Sequence, residues 1–335
     1  VKGHSIQLIQ NKQNAPKHLN VFVVLHSHVD PGWLYTFEEY YSTSDHPLRF
    51  IWSEMSFLER WWSEANTTYR NYFKSLIDEG HLEISGGHWV MNDEATPYFW
   101  EAIENIIVGH QYVHEILNIT PTTSWSVDPF GHGLMMPYLM KLAGINQMVI
   151  GRINSNIKNI LKQHHQLHFR WQLHWAPLVN VLPNAYYTVT SACGTDEMIC
   201  CQFDVSKTSR SSCMERAKVD NVQKIVQFGT VADYFKSLKG NAKRRASILS
   251  GDFFPYMDNA FSNAPFWTGF YNHRAYFKCF ERIIQLRLVD LLSVAIGIYL
   301  NSDVEIARRN LALSIHHDAI TGTSKRHVMD DYMLR

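Results

Sequence analysis

The sequence predicts an α/β fold: a barrel-like parallel sheet with outer helices over residues 1–260, then a small helical bundle over residues 261–335. Three observations lead there. Short, continuous apolar runs rich in β-branched residues recur through the first half, as strands buried on both faces require. Amphipathic helical stretches separate them, and alternation of strand with helix implies a parallel sheet with helices outside. After Asp252 the strand signal stops, and apolar residues return at three- and four-residue spacing.

The elements follow in order. Val21 to Leu25 is the first strand; Leu48 to Glu54, Leu82 to Ser85, Thr122 to Val127 and Gln147 to Ile150 repeat the pattern. Between them Ser56 to Trp62, Tyr69 to Glu79, Tyr98 to Leu117 and Met135 to Ala143 read as helices. Helical periodicity resumes from Tyr271 to Ile315. Ser302 and Glu305 have the spacing of a capping box for the last helix, which ends near His316-His317-Asp318 with Gly322 just beyond. The apolar stretch from Leu291 to Leu300 is interrupted by Ser293 and is too short to span a bilayer, so it reads as a buried helix segment. In such a fold, polar residues at the carboxyl ends of the strands form the natural site.

Composition narrows the function classes. The chain has 335 residues, 46% hydrophobic and 19% charged, which excludes a disordered or fibrous chain. Thirty-one Lys and Arg balance thirty-one Asp and Glu, so the charge footprint of a nucleic-acid binder is absent. Ten Trp, sixteen Tyr and eighteen His in a neutral chain favour a carbohydrate or metal site over a polyanion site. The chain begins at Val1 with no leader pattern and reads as an internal piece of something longer, so a membrane anchor upstream is compatible with it. Cys193, Cys200, Cys201 and Cys213 crowd together. Two local disulfides, with Cys279 left over, would suit a secreted or lumenal protein; a zinc knot is the rival, but Cys200-Cys201 lacks C-x₂-C spacing. Sequons at Asn66 and Asn118 point to the same lumenal compartment.

Three clusters could carry chemistry. His26-Ser27-His28-Val29-Asp30-Pro31-Gly32-Trp33 follows the first strand, and His28 and Asp30, two apart on an extended segment, can converge on one ion. Asp128 of Asp128-Pro129-Phe130-Gly131-His132 follows another strand. His316-His317-Asp318 closes the last helix. Separately these are a polar loop, a turn and a solvated helix end. Together they offer imidazole and carboxylate ligands enough for one tetrahedral Zn²⁺ site.

HSHVDPGW, WVMNDEA, DPFGH, CCQFD, SGDFFPY, WTGFY, RRNLAL and HHDAITGT, in this order, resemble the family 38 glycoside hydrolases, the class II α-mannosidases. The Cys-rich segment and Ala307-Arg308-Arg309-Asn310-Leu311 are more similar to the Golgi type, although Asn92-Asp93-Glu94 and Phe253-Phe254-Pro255-Tyr256 are also similar to the lysosomal branch. The resemblance implies a retaining α-mannosidase acting on terminal mannosyl residues of N-glycans in the Golgi lumen. It implies zinc held by His28, Asp30, Asp128 and His317, with Asp128 also the nucleophile. Trp33 and Phe130 would line the mannose subsite, with Arg152, Tyr187 and Asp318 as further substrate contacts. It also implies Cys193–Cys200 and Cys201–Cys213 disulfides.

The departures carry weight. Family members have a long segment after CCQFD that supplies the acid/base Asp from a GDDF-like motif. Here sixteen residues separate Asp204 from Asn221, and the motif is missing. Asp252 lies in a different family motif and is not assigned that role. Val29, His88 and Gly133 also depart from the pattern. The family's large β-rich C-terminal half does not follow Arg335 in this sequence. Two other readings therefore stand beside the enzyme: a catalytically inactive mannose-binding relative, and a metal-dependent sugar deacetylase, against which DPFGH and HHDAITGT argue.

Overall fold

In a computed structural model of the chain, the described residues are 18–24, 26, 30, 36, 50–164, 166–173, 179–183, 223–239, 247–259, 266–294 and 302–335. His28, Trp33, Tyr187, the four clustered cysteines and residues 204–222 lie outside them. The chain is mixed α/β, with short, mostly parallel sheets and nine α-helices among the described residues.

Strand β1 (His18–Val23) lies parallel to β8 (Gln223–Phe228), about two hundred residues later in the chain. A parallel bridge between His26 and Ile51 leads to β2 (Phe50–Trp52), which pairs with β3 (Leu82–Ile84). The Gly86 N–H then donates to the Thr123 carbonyl at 2.7 Å and joins this pair to β4 (Thr123–Phe130). From β4 the third sheet runs through β5 (Gln147–Arg152), β7 (Val179–Pro183), β6 (Phe169–Gln172) and β9 (Ser247–Ser250). One pairing departs from the all-parallel expectation: β6 runs antiparallel to β7. The two are adjacent in sequence, so a short connection suffices and no crossover helix is needed.

The helices α1 (Met55–Glu64), α2 (Thr67–Asp78), α3 (Phe99–Leu117) and α4 (Met135–Leu142) fall where the periodicity places them. Asn66 caps α2, its side chain accepting the Tyr69 N–H at 3.0 Å. Helix α3 is seated by Asn105, which is fully buried: its Oδ1 accepts the Val90 N–H, and its Nδ2 donates to the Val90 backbone carbonyl and to Asn92 Oδ1. One turn on, a Cβ at Gly109 would lie 2.1 Å from the Gly87 carbonyl oxygen, so only glycine lets the helix approach this closely. Further along come α5 (Ser155–Gln163), α6 (Val231–Lys239), α7 (Ala275–Val294), α8 (Ser302–Ser314) and α9 (Arg326–Leu334).

Two sequence expectations change here. Helix α8 has Ser302 as its own first residue, where the predicted capping box would place it just before the helix. The Glu305 carboxylate pairs instead with Arg308 at 3.1 Å and Arg309 at 3.0 Å, one turn ahead on the same face. Nor is α8 the last helix, since α9 follows the HHDAITGT turn. Residues 291–294 continue α7, and 295–300 lie outside the described residues.

Among the described residues, four buried apolar clusters hold these layers together. The largest takes Trp52, Met55, Leu58, Phe73, Val108 and Val113 from the first half and Phe277, Leu313, Ile315, Ala319, Val328 and Tyr332 from the last three helices and the turn before α9. A second lies between α4, β5, α5, β6 and β9, with Trp171 fully buried and its indole N–H on the Gly251 carbonyl at 2.6 Å. A third, around Trp125, Val127, Val149 and Phe235, backs the strands. The fourth, Phe130, Tyr256 and Phe270, lies at the carboxyl end of β4, where the polar side chains converge.

Candidate metal and catalytic centre

Three chain segments meet beyond the strand ends. Asp30 follows β1, and Asp128 lies near the end of β4. His316, His317 and Asp318 occupy the turn after α8. That turn is pinned by backbone pairing: Asn92 and His316 form an antiparallel bridge, the Asp93 N–H donates to the Ile315 carbonyl at 3.0 Å, and the His317 N–H to that of Met91 at 3.3 Å. Strand-like pairing of a loop with a helix end fixes position at the cost of two ordered segments. The order extends to α3 through Asn105, which holds Asn92.

His317 is the hub. Its Nδ1–H donates to the Met91 carbonyl at 2.7 Å, so Nε2 faces the acids. Nε2 lies 3.0 Å from Asp30 Oδ1, 3.1 Å from Asp128 Oδ2 and 3.7 Å from Asp318 Oδ2. His316 takes a different part: its Nδ1 accepts the Asp318 N–H at 3.3 Å, which leaves Nε2 to face Asp30 Oδ1 at 3.4 Å as a donor. His316 and His317 are fully buried, and Asp30 and Asp318 nearly so.

Electrostatics follow from that burial. Burial alone lowers the basicity of His317, but hydrogen bonds to Asp128 and Asp30 and the nearby Asp318 charge outweigh it and hold the imidazole well above its ordinary range. Burial pushes the Asp318 carboxyl up to about 7, against the lowering effect of His317, with Asp30 and Asp128 adding to the rise. Asp318 also accepts a hydrogen bond from Thr323 Oγ1.

The other oxygen of Asp128 belongs to Arg152 at the end of β5. Arg152 Nε donates to Oδ1 at 2.5 Å, and Nη2 contacts the same oxygen. The guanidinium is boxed by aromatic rings, its Cζ 5.1 Å from the Phe130 centroid, 5.1 Å from Trp267 and 5.8 Å from Tyr256. Phe130, 3% exposed, stands edge-on to His317 and Phe270. Packing of this kind restricts the guanidinium to one plane, and a planar fork over a carboxylate is what Arg offers and Lys does not.

Asp30, Asp128, His317 and Asp318, proposed from sequence as ligands or contacts, thus come together, with Arg152 and Phe130 beside them. His28, Trp33 and Tyr187 lie outside the described residues. His26, the first imidazole of HSHVDPGW, is exposed and tilted 4.7 Å from the Trp125 ring. Sequence reading placed His316 only in the His316-His317-Asp318 cluster and gave no role to Tyr256 or Trp267. The only signal for the last two was their place in the FFPY and WTGFY motifs.

The donor set suits a divalent cation. Two carboxylates and an imidazole Nε2 from three segments face one point, and Asp30, His316, His317 and Asp318 each have a ligand atom within 4.8 Å of the others. The second nitrogen of His317 donates to a backbone carbonyl, the arrangement that orients ligating imidazoles in metalloproteins. The described residues therefore include a possible metal-binding cluster.

Comparison with known proteins identifies the frame around it. Residues 18–212 match the Glycosyl hydrolases family 38 N-terminal domain, and residues 265–335 match the Alpha mannosidase middle domain. The chain belongs to glycoside hydrolase family 38. Within that family it is 32% identical to human Alpha-mannosidase 2 over 425 residues, covering 95% of this chain and 37% of the relative. To the Drosophila melanogaster Alpha-mannosidase 2 it is 30% identical over 430 residues, covering 100% and 38%. The chain therefore spans little more than a third of these relatives. Both matched lengths exceed its own 335 residues, so relative residues without a counterpart fall inside the matched region. An alpha-mannosidase from Enterococcus faecalis V583 shares the fold at TM-score 0.68 and 15% identity, covering 94% of this chain and 40% of that one. No helix among the described residues is long and apolar enough to cross a membrane.

Proposed function

We propose that the chain is the catalytic part of a zinc-dependent retaining α-mannosidase acting on terminal α-mannosyl residues of N-glycans, with its acid/base segment missing. The observation that carries this reading is the meeting of His317 Nε2 with the carboxylates of Asp30 and Asp128 beside Arg152. His28, Asp30, Asp128 and His317 would hold the ion; when bound, zinc serves as a template for two sugar hydroxyls and stabilises charge on them. The Golgi-type motifs support a location in the Golgi lumen, held by an anchor upstream of this sequence. We take residues 1–260 as the α/β catalytic domain, its strands arranged as a barrel, and 261–335 as the start of the helical middle domain.

Asp128 divides its oxygens. Oδ2 faces His317 and the metal position; Oδ1 is held by Arg152. The retaining reaction has a carboxylate attack the anomeric carbon as the glycosidic C–O bond breaks, leaving a mannosyl ester that water then hydrolyses. The departing oxygen needs a proton unless it is already a stable anion. Trp33, Phe130, Tyr187 and Asp318 would shape the subsite, with Phe130 acting through the rings it packs against.

With the general acid missing, substrates that need leaving-group protonation slow by about 10²–10⁴-fold. Activated aryl α-mannosides escape that loss. Zinc-supplemented hydrolysis of an aryl α-mannoside, beside an unactivated dimannoside and the Asp128→Ala variant, tests the reading. Turnover of the aryl substrate alone, abolished in Asp128→Ala, is expected. Turnover of both substrates means that another carboxylate has taken the acid role. The sixteen-residue Asp204–Asn221 connection, together with the relatives' excess length, favours one second reading, a mannose-binding relative. Mannose binding by a folded chain that turns over neither substrate would establish it.

A further inference from the structure

Asp128 does not sit in a regular strand. The β4–β5 ladder breaks between Ser126↔Ile150 and Phe130↔Arg152, so three residues of β4, with Asp128 in the middle, bulge opposite the single residue Gly151. A Cβ on Gly151 would lie 2.0 Å from the Val127 carbonyl oxygen, so glycine is required for the strands to meet here. The bulge takes away the ladder partners that Gly151 would otherwise have, yet its backbone must still be satisfied.

Two buried side chains do most of this, and the Ile153 N–H adds a backbone bond to the Gly151 carbonyl at 3.2 Å. The Gly151 N–H donates to His132 Nε2 at 3.2 Å, and the Gly151 carbonyl accepts from Lys158 Nζ at 2.8 Å. Because Nε2 accepts, the His132 proton is on Nδ1, where it donates to Glu94 Oε1 at 2.8 Å. Glu94 in turn holds residues on either side of the bulge: Oε1 accepts from Ser126 Oγ at 3.1 Å at its start, and Oε2 accepts the N–H of Gly133, three residues past its end, at 3.0 Å. Glu94, His132 and Lys158 are all buried, and none touches the acids around His317 in the described contacts.

We propose that Glu94, His132 and Lys158 are positioning residues that clamp the β4 bulge and the Gly151 peptide, and so set Asp128 between Arg152 and the metal position. The consequence rests on the reading of Asp128 as nucleophile and ligand; the clamp itself does not. Without it, Gly151 and Arg152 on one strand and Val127 to Pro129 on the other are free to shift, and Asp128 loses one of its two partners. Outer partners of this kind commonly govern about 10–100-fold in metal affinity or rate.

Four measurements on the full chain decide it. In the unaltered protein, nitrogen NMR should find His132 as the Nδ1–H tautomer; an Nε2–H tautomer overturns the clamp without any mutation. Lys158→Met and His132→Leu should speed amide exchange at Gly151 by about tenfold or more and weaken zinc binding, read by chelator competition, by about 10–100-fold. On the aryl α-mannoside, kcat should fall by a similar factor with KM little changed. Lys158→Arg, which keeps a donor, should stay near the unaltered protein in all three. Should His132→Leu fail to fold, Lys158→Met and the tautomer carry the test. A folded Lys158→Met with unchanged exchange and zinc affinity overturns the proposal. An unaltered protein without turnover, in which Lys158→Met still weakens zinc, sinks the catalytic reading and leaves the clamp standing.

Discussion

The acids around His317 and the acids between α3 and α7 are both largely buried, yet they are neutralised in opposite ways. At the strand ends, Asp30, Asp128 and Asp318 surround one imidazole, and Arg152 lies on Asp128. Between the helices, Glu101 and Glu281, 0% and 1% exposed, face each other with Arg282 at 4.0 Å as the only cation paired to either among the described residues. Burial raises both glutamates, and the hydrogen bond and charge of Glu101 push Glu281 to about 9. Burial and the neighbouring Glu101 carboxylate thus keep Glu281 protonated through neutral pH. Acids gathered around cations stay available to bind or attack; of two acids left mainly to each other, Glu281 is held neutral. Acidity in the core therefore does not mark a site. The partners do.

The largest effect should come from removing the hub. His317→Ala should abolish detectable zinc binding in chelator competition. It should also destabilise the metal-free chain by about 3–5 kcal/mol, because three acids would lose their common cation. Retained zinc affinity would mean that the comparison has picked the wrong group.

Arg152→Lys comes next. A point charge replaces the planar fork over Asp128 and inside the ring box of Phe130, Trp267 and Tyr256. Urea unfolding should show a loss of about 1.5–3 kcal/mol, the worth of a charged hydrogen bond. An unchanged midpoint would mean that Arg152 contributes nothing beyond charge.

Glu281→Gln works in the opposite direction. The folded carboxyl titrates near 9, against an ordinary 4.5, so its contribution is complete below 4.5 and is lost as pH rises through 9. Glutamine removes that loss and should stabilise the chain by about 1–3 kcal/mol at pH 8, and by less at pH 5. Equal stability of the two proteins at both pH values would break the contrast between the acid groups.

At neutral pH the smallest effect belongs to His88, where burial first and the His110 charge second lower the imidazole to about 3. Its folded value lies below the ordinary 6.5, so stability is unaffected above 6.5 and falls as pH drops from 6.5 toward 3, by about 1.4 kcal/mol per unit. His88→Leu should flatten that slope in urea midpoints measured from pH 7 to 4. A slope shared by both proteins would assign it to other groups.

The residue sequence by itself determined a good deal. Apolar runs such as Gln147 to Ile150 and the spacing of α1 to α4 identified elements that exist close to their expected bounds, because each depends on neighbours a few residues away. Ordered motifs singled out Asp30, Asp128, His317 and Asp318 before any contact was known, and the family resemblance added Arg152. Tertiary structure alone decided the rest. The pairing of β1 with β8, the antiparallel β6, the ring box around Arg152 and the joining of His132 and Lys158 on Gly151 link positions far apart or differently placed in the chain. Neither helical nor strand periodicity reports on them. The same holds for Glu101 and Glu281, each of which reads alone as an ordinary helix-surface acid. Local propensity acts over a turn or a strand, whereas the partner that decides whether a buried carboxyl is charged, neutral or ligating arrives only when the layers pack.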